Sequence, residues 1–118
     1  MDSYKKEDCI FCKVIEGKMN ANIVFENDSI IAFRDINPQA PVHILIIPKK
    51  HIPMVSECDD SDAELLGEIF IRAKEIAAKE ELSEGYRLVL NNGKSAGQEI
   101  FHLHVHLLGG RRMSWPPG

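Results

Sequence analysis

Three histidines carry the clearest chemistry in this chain: His102, His104 and His106, in the run Phe101-His102-Leu103-His104-Val105-His106-Leu107-Leu108. They alternate with aliphatic residues at a period of two, which predicts a strand with all three imidazoles on one face and Leu103, Val105 and Leu107 on the other. At about 3.3 Å per residue the outer pair lies roughly 13 Å apart along such a strand, with His104 midway. An imidazole with a pKa near 6.5 is largely unprotonated at neutral pH, so one ring can act as a nucleophile while another donates a hydrogen bond. A lone strand histidine is usually structural, and a purification tag would be an uninterrupted terminal run; three on one parity point to a functional row. A second candidate is Cys9-x-x-Cys12. By itself it fits a zinc site, a redox pair or coincidence, and a structural zinc would need two further N or S ligands.

The pattern of His alternating with apolar residues resembles the signature of the histidine triad superfamily. Asp35-Ile36-Asn37-Pro38-Gln39-Ala40-Pro41, Ile47-Pro48-Lys49-Lys50-His51, Gly97-Gln98 and Trp115-Pro116-Pro117-Gly118 narrow the resemblance to its Hint branch, the histidine triad nucleotide-binding proteins. It runs from about Asp8 to the end of the chain. The resemblance implies a purine nucleoside phosphoramidase, with His104 forming a covalent nucleotidyl-histidine that water then hydrolyses. His106 would donate to a phosphate oxygen, with backbone N–H groups near Gly97 and Gln98 adding to that hold. Asp35 would accept hydrogen bonds from the ribose, although a turn acceptor is the plainer reading. Ile10, Phe11, Val14, Ile36 and Leu45 would wall the base, or simply be core. Asn91 matches a position near the leaving group, or caps a turn.

Glu99 departs from the pattern, since eukaryotic Hint proteins usually carry a serine there. It is either a general acid or a solvated turn residue. Some triad proteins complete a Cys pair with the histidines corresponding to His51 and His102. That would make Cys9, Cys12, His51 and His102 a structural Zn2+ site and withdraw His102 from catalysis. Trp115 is expected to pack near a neighbouring subunit's cleft. Two other readings remain: a dinucleoside polyphosphate hydrolase using the same site, and a non-catalytic nucleotide-binding or scaffold protein.

The elements that must position these groups follow from periodicity. A short helix is predicted over 9–17, stopped by Gly17. Strands are predicted over 23–26, 30–35, 42–47, 86–91 and 101–108, with His43 in a structural or supporting role. The third reads as central, because it is apolar on both parities. Ser61-x-x-Glu64 suggests a capping box for one long helix with an apolar stripe from Leu66 to Ala77, and Glu75 and Lys79 as an i, i+4 pair. The expectation is an α+β domain: a five-stranded, mostly antiparallel sheet with one long and one short helix, over residues 1–118, with 1–7 flexible and 111–118 a tail. From the resemblance come helices on one side of the sheet and its continuation across a homodimer.

Composition limits the rest. The chain has 118 residues, 44% hydrophobic and 27% charged, enough for one core and too few for two. Fourteen basic against eighteen acidic residues, a net charge of −4, argue against a nucleic-acid polymer as partner, while a small anionic nucleotide stays possible. No run approaches the roughly 20 apolar residues of a membrane span, and no signal peptide is evident. Three cysteines, an odd number, fit a reducing cytoplasm.

Overall fold

The computed structural model describes residues 5–118. Of the leading segment 1–7, residues 1–4 lie outside the described residues, and Lys6–Asp8 form a 3-10 turn. The turn leads into α1, Ile10–Ile15, whose N-cap is Cys9: its Sγ accepts the Cys12 N–H at 3.3 Å. Gly17, at φ 77°, ends this segment in the left-handed region that favours glycine.

Strands β1, Ile23–Glu26, and β2, Ile30–Arg34, form a hairpin. Asn27 Oδ1 closes its turn by accepting the N–H groups of Ser29 and Ile30 at 2.9 and 2.8 Å. Then come β3, Val42–Pro48, β4, Tyr86–Val89, and β5, Val105–Gly109. All neighbours pair antiparallel in the order β1-β2-β3-β5-β4, which puts the apolar β3 at the centre as its pattern requires.

Between β3 and β4 lies α2, Ala63–Lys79. Its entry differs from the sequence expectation. The capping box is formed by Asp59 and Asp62 around a 3-10 turn, Asp60–Asp62, instead of by Ser61 and Glu64. Asp62 takes this role because it is buried and held by Lys50 Nζ at 2.6 Å, a partner the local pattern does not show. Glu75 pairs with Arg72 at 3.3 Å instead of with Lys79.

The sheet is covered on both faces. Ile30, Ala32, Ile44, Ile46, Leu103, Val105 and Leu107 form one core with Ile69, Ala73, Ile76 and Ala77 of α2. The opposite parity, Ile31, Phe33, Leu45 and Ile47, packs against Phe11, Cys12 and Val14 of α1. The two helices therefore lie on opposite faces, which corrects the expectation of helices on one side. Full burial of each large aliphatic side chain contributes about 1.5–3 kcal/mol, so a strand this apolar on both parities needs both covers.

The histidine segment is only partly strand. Its alternation holds, but β5 begins at Val105, leaving His102 and His104 in the irregular stretch before it. Pro48, the last residue of β3, has no N–H to extend the ladder with the histidine segment, and its carbonyl is occupied by the His102 ring. Leu103 N–H instead donates to Ile52 O at 2.7 Å. Gly109 closes the strand where a Cβ would stand 2.6 Å from Leu82 Cδ1. The tail from 111 on has no regular structure; Arg87 Nη2 donates to Ser114 O at 2.8 Å, and Trp115 is 82% exposed.

Candidate active site

On the α1 face of the sheet a cleft of about 480 Å³ collects residues from α1, the ends of β2 and β3, the loop after β4, and the histidine segment. It brings together Ile10, Phe11, Val14, Asp35, Ile36, Leu45, Asn91, Gly97, Glu99, His104 and His106, all singled out in the sequence. Ile36 is 100% exposed at its rim. A larger recess of about 950 Å³ beside β4 and the tail holds no histidine or cysteine.

Six candidates lie elsewhere, Cys9 and Cys12 among them. His102 is 0% exposed and its ring points at the cysteines, so it does not share the cleft with the other two triad members. Gln98 is buried and spent on its own loop: its Oε1 accepts the Gly93 N–H at 2.8 Å, and its Nε2 donates to Pro53 O and Ile100 O. It therefore shapes the loop that lets Gly97 and Glu99 line the cleft. His51 belongs to the cysteine cluster, and Trp115 is not part of this chain's cleft.

Hydrogen-bond partners fix which nitrogen of each cleft imidazole carries the proton. His104 Nδ1–H donates to His102 O at 2.8 Å, leaving Nε2 with the lone pair. The Phe11 ring stands edge-on to the His104 ring, with centroids 5.2 Å apart. Burial pulls the His104 pKa below its ordinary value, against the opposing pull of the His102 carbonyl and Asp35, so the ring is held neutral.

His43 is the functional-site residue that the sequence reading placed only as support. Gln39 N–H donates to its Nδ1 at 3.0 Å, so its proton sits on Nε2, which lies 2.9 Å from His106 Nδ1 and 3.4 Å from Asp35 Oδ2. His106 thus accepts at Nδ1 and carries its own proton on Nε2 as a donor. Burial, reinforced by His104 and His43, lowers the His106 pKa to about 4. Asp35 also closes a turn, since its Oδ1 accepts Asn37 N–H at 2.8 Å. Beside Phe33 and Arg34 of β2, the lining also takes in Met19, Asn20, Ala21, Asn37, Gln39 and Ile100. No periodic or spacing signal marks them, because they stand in loops.

Among the described residues, two side-chain clusters have donors close enough to hold a metal: Cys9, Cys12, His51 and His102, and Asp35, His43 and His106. A tetrahedral ion with bonds of about 2.0–2.3 Å sets its ligands roughly 3.3–3.8 Å apart. In the first cluster His102 Nδ1 lies 3.3 Å from Cys9 Sγ, 3.6 Å from Cys12 Sγ and 3.2 Å from His51 Nδ1, and Cys12 Sγ lies 3.4 Å from His51 Nδ1. The far nitrogen of His102, Nε2, donates to Pro48 O at 2.7 Å, the support a ligating imidazole normally has. Burial, with the hydrogen bond and charge of Cys9 adding to it, pushes the Cys12 thiol up to about 12, so these ligands shed protons when a cation enters. The first cluster fits a metal. In the second, the far nitrogen of His43 faces a donor, Gln39 N–H, which a metal-bound neutral ring could not accept. That cluster is built around a proton.

Comparison with known proteins agrees with this geometry. The HIT domain family matches residues 16–113. HIT-like proteins of Synechocystis sp. and Synechococcus elongatus are each 53% identical over 112 residues, spanning 95% of this chain and 98% of theirs. A HIT family hydrolase from Legionella pneumophila superposes with a TM-score of 0.91 at 58% identity, over 93% of this chain and 99% of that one. A histidine triad nucleotide-binding protein from Candida albicans gives 0.79 at 33% identity, over 92% and 82%.

Proposed function

Because the chain belongs to the HIT domain family, we propose that it is a cytoplasmic, homodimeric purine nucleoside phosphoramidase, cleaving the P–N bond of nucleoside 5′-phosphoramidates through His104. The observation that carries this reading is the pair of fixed tautomers in one cleft: a neutral His104 with its lone pair on Nε2, and His106 with a donor on Nε2.

His104 Nε2 attacks the α-phosphorus, and the new N–P bond forms as the P–N bond to the leaving group breaks. The imidazole gains positive charge, which its Nδ1–H shares with His102 O. His106 Nε2–H, kept a donor by His43, offsets charge on a phosphate oxygen. The departing nitrogen takes a proton. Asp35 and Glu99 are the carboxyls lining the cleft, and Asp35 is engaged by Asn37 and His43, so Glu99 is assigned as the general acid. Water then attacks the nucleotidyl-histidine, giving up a proton to Glu99 as the N–P bond breaks, which releases the nucleoside monophosphate and returns neutral His104. Ile10, Phe11, Val14, Ile36 and Leu45 wall the base, Asp35 accepts from the ribose, and Asn91 and Gly97 border the phosphate.

The cation inventory favours a P–N leaving group over a polyphosphate. Among the described residues, Arg34 is the one arginine or lysine lining the cleft, and both its terminal nitrogens donate to Glu80 at 2.9 Å. A polyphosphate leaving group needs cationic support that this cleft does not offer. Cys9, Cys12, His51 and His102, two thiols and two imidazoles, would hold a structural Zn2+, which would supply stability and take no part in the reaction. The dimer is supported by the exposed edge strand β4 and by Phe70, Ile71 and Tyr86, apolar and exposed in one chain.

Turnover of adenosine 5′-phosphoramidate and of a diadenosine polyphosphate, measured side by side, tests the reading. The expected result is faster cleavage of the phosphoramidate and a nucleotidyl adduct on the intact protein after rapid quench. Tight AMP binding with no turnover of either substrate would replace the enzyme by a nucleotide-binding protein.

A further inference from the structure

His102 faces two ways. Its ring joins the Cys9, Cys12 and His51 cluster, while its backbone carbonyl holds the proton of His104 at 2.8 Å. The same cluster grips α1, a six-residue helix far too short to persist in water without an anchor. Between its two thiols stands Phe11, whose ring contacts both His102 and His104 edge-on, with centroids 6.0 and 5.2 Å away. Phe11 also walls the cleft together with Ile10 and Val14 of the same helix. Two separate routes, one through a carbonyl and one through an aromatic ring, thus join the cysteine cluster to the nucleophile. Cys12 also borders a recess of about 270 Å³ lined by Lys6, Glu7, Lys13, Glu16 and Lys18.

We infer that Phe11 and His102 are positioning residues through which a metal at Cys9, Cys12, His51 and His102 sets the tautomer of His104 and the grip of the cleft on its nucleotide. A cation there draws α1 and the His102 ring together. It thereby holds the His102 carbonyl on His104 Nδ1–H and the Phe11 ring against the nucleophile, all without touching the reacting atoms. With the cation gone, the four side chains no longer share a common centre that fixes α1 against the His102 segment. His104 then loses the partner and the wall that select one tautomer. A metal that served stability alone would leave both properties unchanged in any molecule still folded.

The inference rests on the nucleotide reading above, and the test separates the two. Histidine-15N-labelled protein is loaded with Zn2+ and then stripped with a chelator, with folding followed by circular dichroism. Ring nitrogen shifts report the His104 tautomer, and calorimetry reports AMP affinity. The Zn2+ form should show His104 as the Nδ1–H tautomer alone; the stripped, folded form should show a mixture and bind AMP about tenfold more weakly, the usual scale for losing a supporting shell. An unchanged tautomer in the stripped, folded protein overturns the inference. Should stripping unfold the chain, Zn2+-loaded Phe11→Ala decides: mixed His104 tautomers support the coupling, and an unmixed Nδ1–H form overturns it. If neither metal state binds AMP, the nucleotide reading fails, while the ring shifts still judge the coupling.

Discussion

Each imidazole in the cleft is assigned its work by its hydrogen bonds, and the bonds differ in kind. His104 donates a hydrogen bond to a carbonyl, whereas His43 accepts one from a backbone amide and donates one to His106. Replacing His104 with Ala should lower phosphoramidate turnover by at least about a thousandfold, with AMP affinity changed far less, as steady-state kinetics and calorimetry would show. His43→Leu should act at one remove: His106 loses its donor and its fixed tautomer, and turnover should fall about ten- to a hundredfold. Equal turnover in His43→Leu and the parent would end its role as a positioning residue. The pKa shifts carry a stability consequence. An unfolded imidazole protonates near 6.5, whereas folded His106 does so near 4. Between those values the unfolded chain binds more protons, so stability falls as pH drops through that window. Melts from pH 7 to 4 should show the decline, with a shallower slope in His106→Asn. The sequence disclosed which histidines shared a parity, but no local pattern reveals which nitrogen of a ring will meet a carbonyl and which an amide.

Among the elements, α1 and the end of β5 are held most narrowly. Cys9 caps α1 and belongs to the metal-fitting cluster at the same time. A Cys9→Ser, Cys12→Ser double variant should melt at lower temperature than the parent and lose any dependence of Tm on added Zn2+. At the other end, Gly109→Ala would drive a methyl into Leu82, 2.6 Å away, and should destabilise by about 1–3 kcal/mol in urea melts. In a Leu82→Ala background the same change should cost much less, because the clashing atoms are gone. The strands were legible because alternation and β-branched runs are local signals. The capping box was misplaced because Asp59-x-x-Asp62 reads as an acidic loop until Lys50 is seen beside it.

At the scale of the whole molecule, one chain leaves Tyr86, Phe70, Ile71 and Trp115 exposed, with β4 an open edge. Sedimentation equilibrium should give twice the chain mass, as a second copy covering that edge requires. The tail is tied near its end by Arg87 to Ser114, which leaves Trp115 projecting from its own chain. Deleting residues 113–118 should change the ranking of leaving groups more than it changes Tm. Identical ranking in the truncated protein would make the tail irrelevant to the cleft.

The sequence by itself determined what depends on neighbours along the chain: the parity of the histidine run, the doubly apolar β3, the amphipathic α2, the Cys pair, and a resemblance dense enough to indicate family and fold. The resemblance anticipated His102 among the cysteines; tertiary structure alone decided that the helices take opposite faces and that His43 enters the cleft. It also decided which cluster suits a metal and which a proton. The physical reason is distance along the chain. His102 finds its acceptor in Pro48, 54 residues away, and His106 its donor in His43, 63 residues away. Periodicity says which way a side chain points, whereas its proton is placed by whatever the fold brings to meet it.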